Sequence, residues 1–256
     1  QPMIFAFAIP VLGIAGDVLP VSLEVPQRKY RVQQIAIGAM GALSFGAFAQ
    51  PFFNPDVANQ AVFVVMGILI VLPILVFLGG LVDTSLRGNL SISAHLILSV
   101  VGVLALLVAA VASAFHVSGP AIGAIQEIND SWLDGLISWL RDVQGTVLAT
   151  AVMEHVLIAS VIGIIAGLYY WAPKIFGYQL NRNIGILSAL TLLGGLALSG
   201  GSNIINGILD EGDEVYHSSA YEGVWDTNAV EFFNIVGAIG SLLLLAGAGL
   251  VILDLT

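Results

Sequence analysis

Few side chains in this sequence can do chemistry inside an apolar environment. Within its long apolar runs the polar or ionisable candidates are Asp17, Gln50, His95, Glu154, His155 and Glu231. Ionisable groups in hydrocarbon are costly, so each is a candidate site. Asp17, His95 and Glu231 fall near the ends of their runs, where contact with the interface accounts for them. Glu154 and His155 lie well inside the run 145–172. Neighbours on a helix point about 100° apart, so this pair does not converge easily on one ligand. His155 has two readings, a hydrogen-bonded histidine in a helix bundle or an axial ligand of a haem or metal. His116 and His217, with Asp and Glu nearby, are a second candidate for a divalent ion, at a spacing that matches no recognised site. The chain has no cysteine, which excludes disulfides, Cys-ligated zinc or iron–sulfur centres, and thiol catalysis.

The elements that must position these residues are membrane spans. Seven apolar runs, 2–20, 32–52, 59–82, 92–116, 145–172, 184–208 and 228–253, each approach or exceed the roughly 20 residues a helix needs to cross a bilayer. Polar breaks such as 24–29, 54–56, 83–89 and 173–174 separate them. Alternating loops test the count. Arg28, Lys29, Arg31, Arg87, Lys174 and Arg182 fall in the loops after the odd spans, and only Arg141 falls on the other side. The positive-inside rule then predicts an outer N-terminus and an inner C-terminus. The expected fold is all-α, a single polytopic transmembrane bundle over residues 1–256 with seven spans.

The opposite face is acidic. It carries Glu127, Asp130, Asp134 and Asp142 after the fourth span, and Asp210, Glu211, Asp213, Glu214, Glu222 and Asp226 after the sixth. A solvated outer face or adaptation to high salt accounts for this. The alternative is a docking surface, centred on Asp210, Glu211, Asp213 and Glu214, for a basic soluble partner. Trp132, Leu133, Leu136, Ile137 and Leu140 recur at helical spacing among charges, so 129–142 is expected to be an amphipathic helix at the outer interface.

Composition narrows the class. Of 256 residues, 58% are hydrophobic and 9% charged, against about 25% charged in a soluble domain; mean hydropathy is +0.98. Twenty-four charges cannot cover a soluble globule of this size. The net charge of −10 argues against nucleic acid as a partner. No basic n-region or small-residue cleavage site follows Gln1, so no signal peptide is expected. The only lysines, Lys29 and Lys174, lie in loops, which excludes a retinal Schiff base. Pro73 and Pro10 are the clear mid-span breakers, thin support for a broken-helix transporter. Glycine pairs such as Gly163/Gly167 and Gly237/Gly240 are expected at close helix contacts.

The segment Trp171-Ala172-Pro173-Lys174-Ile175-Phe176-Gly177-Tyr178-Gln179-Leu180-Asn181 resembles the W-x-P-x-x-x-G-Y-x-L-N segment that leaves the tenth helix of haem–copper (cytochrome c) oxidase subunit I. Gln1-Pro2-Met3-Ile4-Phe5 through Pro10, Gly13 and Asp17 resembles that family's sixth helix, and Ala47-Phe48-Ala49-Gln50-Pro51-Phe52 its seventh. The resemblance implies that the seven spans correspond to helices six to twelve, with about residues 118–143 inserted. It also implies where the family's functional groups would fall, and they are absent. The three copper-ligand positions read Gln1, Gln50 and Pro51, and the cross-linked tyrosine position reads Phe5. The proton-path glutamate and lysine positions read Met3 and near Phe77. The haem histidines of the tenth helix fall at Ala151 and Met153, or at Val152 and Glu154 in another register, and only a further gap brings His155 onto a haem-ligand position. No basic residue follows Arg182 to match the arginine pair that holds haem propionates.

The expected function is therefore a structural, cofactor-free subunit of a membrane respiratory-type oxidoreductase complex, derived from that family. It would pack against other integral-membrane subunits in a prokaryotic plasma membrane or a mitochondrial inner membrane, with an electron carrier as the basic soluble partner. One alternative is half of a split, active subunit I, with haem held mainly at a partner interface and His155 as its one ligand here. A second is an unrelated seven-helix transporter or receptor.

Overall fold

The computed structural model describes residues 3–44, 61–89, 92–123, 146–209 and 227–255. Their regular elements are helices: α1 Met3–Ser22, α2 Tyr30–Leu43, α3 Ala61–Leu69, α4 Val71–Ser85, α5 Ala94–Gly123, α6 Leu148–Ile175, α7 Arg182–Ile208 and α8 Thr227–Leu255. In hydrocarbon each backbone N–H and C=O must be paired internally, and long apolar helices meet that demand. Six stretches among the described residues are long and apolar enough to cross a membrane: Phe5–Ser22, Val64–Ser85, Ala94–Ser118, Leu148–Ile175, Arg182–Ile208 and Asn228–Leu255. They match six of the seven expected spans. The described part of the other, α2, is 14 residues long, and the remainder of that expected span lies outside the described residues. So does the expected interfacial helix 129–142.

Proline acts differently in two spans. α1 runs unbroken through Pro10. The third expected span divides at Ile70 into α3 and α4, three residues before Pro73. A proline inside a helix offers no N–H to the preceding turn and crowds its carbonyl, and the ladder is interrupted on that side.

The apolar core lies where α1, α4, α5, α6 and α7 meet, with Phe5, Leu12, Phe77, Leu98, Leu106 and Ile162 fully buried in it or against it. Lipid is as apolar as leucine, so helix association depends on close fit. α7 and α8 share the most extensive interface, followed by α5 with α6 and α1 with α6. α8 turns an apolar surface outward, with Leu242 66% and Leu245 70% exposed. The expected glycine contacts divide. A Cβ on Gly240 would run into the α7 backbone at Ser199 and Leu198, whereas one on Gly237 would make ordinary contact at 3.6 Å.

One end of the bundle gathers basic side chains. Arg28 and Arg87 both pair with Asp83, at 3.7 and 3.8 Å. The Asn89 N–H donates to the Leu23 carbonyl at 3.2 Å, and Arg182 donates to the Ile92 carbonyl at 3.0 Å. The motif Trp171–Asn181 supplies the exit from α6 at this same end. Gly177 takes φ +77° just after the helix, a conformation open to glycine at little cost. Asn181 then caps α7, its side-chain oxygen accepting from the N–H groups of Asn183 and Ile184 at 2.9 and 3.4 Å. Asn181→Ala should cost about 1 kcal/mol, read as a lower unfolding midpoint of the detergent-solubilised chain.

Candidate functional site

Several polar side chains of the spans meet along a seam between α6, α7 and α8. Glu154 and His155 diverge as adjacent helical positions must. Asn203 on α7 donates through Nδ2 to the Glu154 carboxylate at 2.7 Å. His155, 4% exposed, lies against Gly200, one turn earlier on α7. A Cβ on Gly200 would collide with the imidazole, so the glycine is what admits the ring. His155 Nδ1 is buried with no hydrogen-bond partner.

The seam continues in both directions. Towards the end of the bundle opposite the basic one, Asn206 donates to the Asn234 side-chain oxygen on α8 at 2.8 Å. Asn206 is 1% exposed and its own oxygen has no partner. In the other direction, the Ser199 and Ser241 hydroxyls join α7 to α8 at 3.2 Å. At the basic end the Tyr169 hydroxyl donates to Asp254 at 3.0 Å, and the Asn181 N–H donates to the other Asp254 oxygen at 2.9 Å. Each contact joins two helices, and where such a polar group is buried away from water, leaving it unpaired is costly. Sequence reasoning picked out Glu154 and His155 but missed Asn203, Asn206 and Asn234. Two asparagines three residues apart on one face of a span were the available signal.

On its other side α6 packs directly against α1 at mid-span. Val11 projects between α5 and α6, where Cβ atoms on Gly102 and Gly163 would come within 3.0 and 2.9 Å of it. The Ser160 hydroxyl lies 3.1 Å from the Phe7 carbonyl of α1 and donates to the Val156 carbonyl of its own helix at 2.7 Å. Phe5 and Phe77, the positions where the resemblance expected a tyrosine and a lysine, are buried in the apolar core. Gln33 on α2 is a further missed residue. It is 2% exposed, neither amide atom has a partner, and it lines a cavity of about 490 Å³ together with Asp17, Gln27 and Gln34.

Other expected site residues are placed as follows. His95 is the second residue of α5 and is half-buried, its Nε2 3.0 Å from the Ser93 hydroxyl. Asp17 and Glu231 are exposed on their helices. His116 is buried on α5, with Nδ1 unpartnered. Gln1, Gln50, Pro51, His217 and the acidic Asp210, Glu211, Asp213 and Glu214 lie outside the described residues. Among the described residues no three His, Cys, Asp or Glu side chains cluster as a metal site would require.

Fold and seam together define a polytopic helical integral membrane protein. Comparison with known proteins adds a distant kinship. No family model matches the chain. It is similar to the probable cytochrome c oxidase subunit 1-beta of Nocardia farcinica, 22% identical over 200 residues, 78% of this chain and 31% of the relative. Cytochrome c oxidase subunit 1 of Thermostichus vulcanus is 26% identical over 201 residues, 76% and 33% of the two chains. The Bacillus subtilis subunit 1 is 22% identical over 258 residues, 99% and 38%. These matches support a distant relationship to oxidase subunit I, and the chain spans about a third of the length of those relatives.

Proposed function

We propose that this chain is a structural subunit derived from haem–copper oxidase subunit I, holding no redox cofactor itself and packing beside other integral-membrane subunits of an oxidoreductase complex. In this reading the chain is one membrane domain crossing seven times. Its basic end faces the compartment that the positive-inside rule assigns, and its acidic face receives a basic electron carrier.

The contact between α1 and α6 carries the proposal. By the resemblance these are the sixth and tenth helices, which in the family hold a copper ligand and the haem histidines. Here Val11 packs between Gly102 and Gly163, and Ser160 reaches the Phe7 backbone. A porphyrin plate would have to push these helices apart. His155, the one imidazole left on α6, is turned onto Gly200 of α7. The copper positions support the same reading, since glutamine is a poor copper ligand and proline has no side-chain donor.

The test is the absorbance spectrum of the purified chain, alone and after incubation with haem, beside His155→Ala. The expected result is no Soret band in either protein, together with co-purification of haem-bearing membrane chains from native membranes. A stoichiometric Soret band that His155→Ala abolishes would overturn the proposal in favour of half of a split, active subunit I.

A further inference from the structure

The basic end of the bundle contains a cavity of about 450 Å³, which meets the seam only at Tyr169. Its wall is built from three chain segments: Glu24 after α1, Ser93 and His95 at the start of α5, and Tyr170 with Arg182 from the end of α6 and the start of α7. These are the points where the spans Phe5–Ser22 and Leu148–Ile175 end and Ala94–Ser118 and Arg182–Ile208 begin. The cavity therefore sits at the depth where hydrocarbon gives way to lipid headgroups.

Its charges are separated. Arg182 holds one wall, positioned by the bond from one guanidinium nitrogen to the Ile92 carbonyl, which leaves the other donors of the fork for a ligand. Lys174 follows Pro173 of the cavity lining, its Nζ 5.5 Å from the centre of the ring of Tyr170, and Tyr170 also meets His95 edge-on at 5.8 Å. The opposite charge, Glu24, is held in a left-handed backbone conformation at φ 57°. Bonds to both neighbours fix it: Asn89 N–H to the Leu23 carbonyl and Val25 N–H to the Pro20 carbonyl. Among the described residues, the ion pairs of this end engage Arg28, Arg87 and Asp83 and involve neither Glu24 nor Arg182.

A ligand that matches this wall carries an anion and a cation a short distance apart, at headgroup depth. We propose that the cavity seats the headgroup of a zwitterionic aminophospholipid, its phosphate at Arg182 with Lys174 at the rim, and its ammonium at Glu24. Arg182 supplies the planar donor fork suited to phosphate oxygens, and Lys174 acts as a second point charge. Basic pockets between spans commonly hold lipid headgroups. Glu24 makes this one selective, because it repels a headgroup that offers only negative charge.

Native mass spectrometry of the full-length chain, stripped of lipid and titrated with phosphatidylethanolamine, phosphatidylglycerol or inorganic phosphate, tests the assignment. One phosphatidylethanolamine per chain should be retained in preference to phosphatidylglycerol. Arg182→Gln and Lys174→Gln should each weaken it by about fivefold, and Glu24→Gln should erase the preference between the lipids. Lys174→Gln breaks no hydrogen bond that positions α7, and circular dichroism checks that both variants keep their helix content. Arg31→Gln, at the same end but outside the cavity, should bind like the parent. The proposal is overturned if the parent prefers phosphatidylglycerol, if Arg182→Gln and Lys174→Gln bind like Arg31→Gln, or if millimolar inorganic phosphate displaces the lipid.

Discussion

Gly240→Leu is expected to detach α8 from α7 and to produce the largest stability loss of any single substitution considered. A Cβ at this position meets the α7 backbone at Ser199 and Leu198, and reaches the Gly195 carbonyl at 2.9 Å. The obstruction is main chain on a long helix, so no rotamer change relieves it. Facing it, a Cβ on Gly195 would stand 2.7 Å from the Leu244 N–H nitrogen, so the two helices already touch backbone to backbone. Overpacking a well-filled interior costs about 1–3 kcal/mol, and an obstruction made of backbone should reach or exceed the top of that range. In lipid there is no hydrophobic force to drive the helices back together at a wider spacing. The Ser199–Ser241 contact beside Gly240 would be lost as well. Thermal unfolding in detergent and the size-exclusion profile read the effect. Gly249→Leu is the control, because nothing lies within 4 Å of a Cβ there. Equal midpoints for the two variants would show that α7 and α8 are not in backbone contact.

Asp254→Ala should release the far end of the same helix. Its two carboxylate oxygens accept separately, one from the Tyr169 hydroxyl on α6 and the other from the Asn181 N–H that opens α7. One side chain thus ties three helix ends together. Hydrogen bonds to a charged group contribute about 1.5–3 kcal/mol each, and the half-exposed position lowers that, so a loss of about 2–4 kcal/mol is expected for the pair. Asp254→Asn keeps an acceptor for the Asn181 N–H and can donate to the tyrosine oxygen, so it should fall between the parent and the alanine variant. Tyr169→Phe removes one of the two bonds, and combining it with Asp254→Ala should cost less than the sum of the single effects. Full additivity in that cycle would mean that the two residues do not interact.

The amino-acid sequence alone determined that this is a helical membrane protein and where six of its spans run. It could do so because bilayer thickness and backbone hydrogen bonding act on each segment separately: a run of apolar residues must become a helix whatever lies beside it. The grouping of Arg28, Arg87 and Arg182 at one end was legible for a related reason, since loops must alternate between the two ends of an antiparallel bundle. The sequence also placed Glu154 and His155 well inside a span and predicted their divergence from helical geometry. It did not say what each would meet. Gly200 reads as one more small residue among 29 glycines, and only the crossing of α6 over α7 makes it the place where an imidazole fits. The Asn203, Asn206 and Asn234 amides, the Val11 contact that closes α1 onto α6, and the opposed charges of Glu24 and Arg182 were decided in the same way. Such pairings depend on the rotation and depth of one helix against another. That relation is set by side-chain fit between segments distant in the chain, and no local pattern records it.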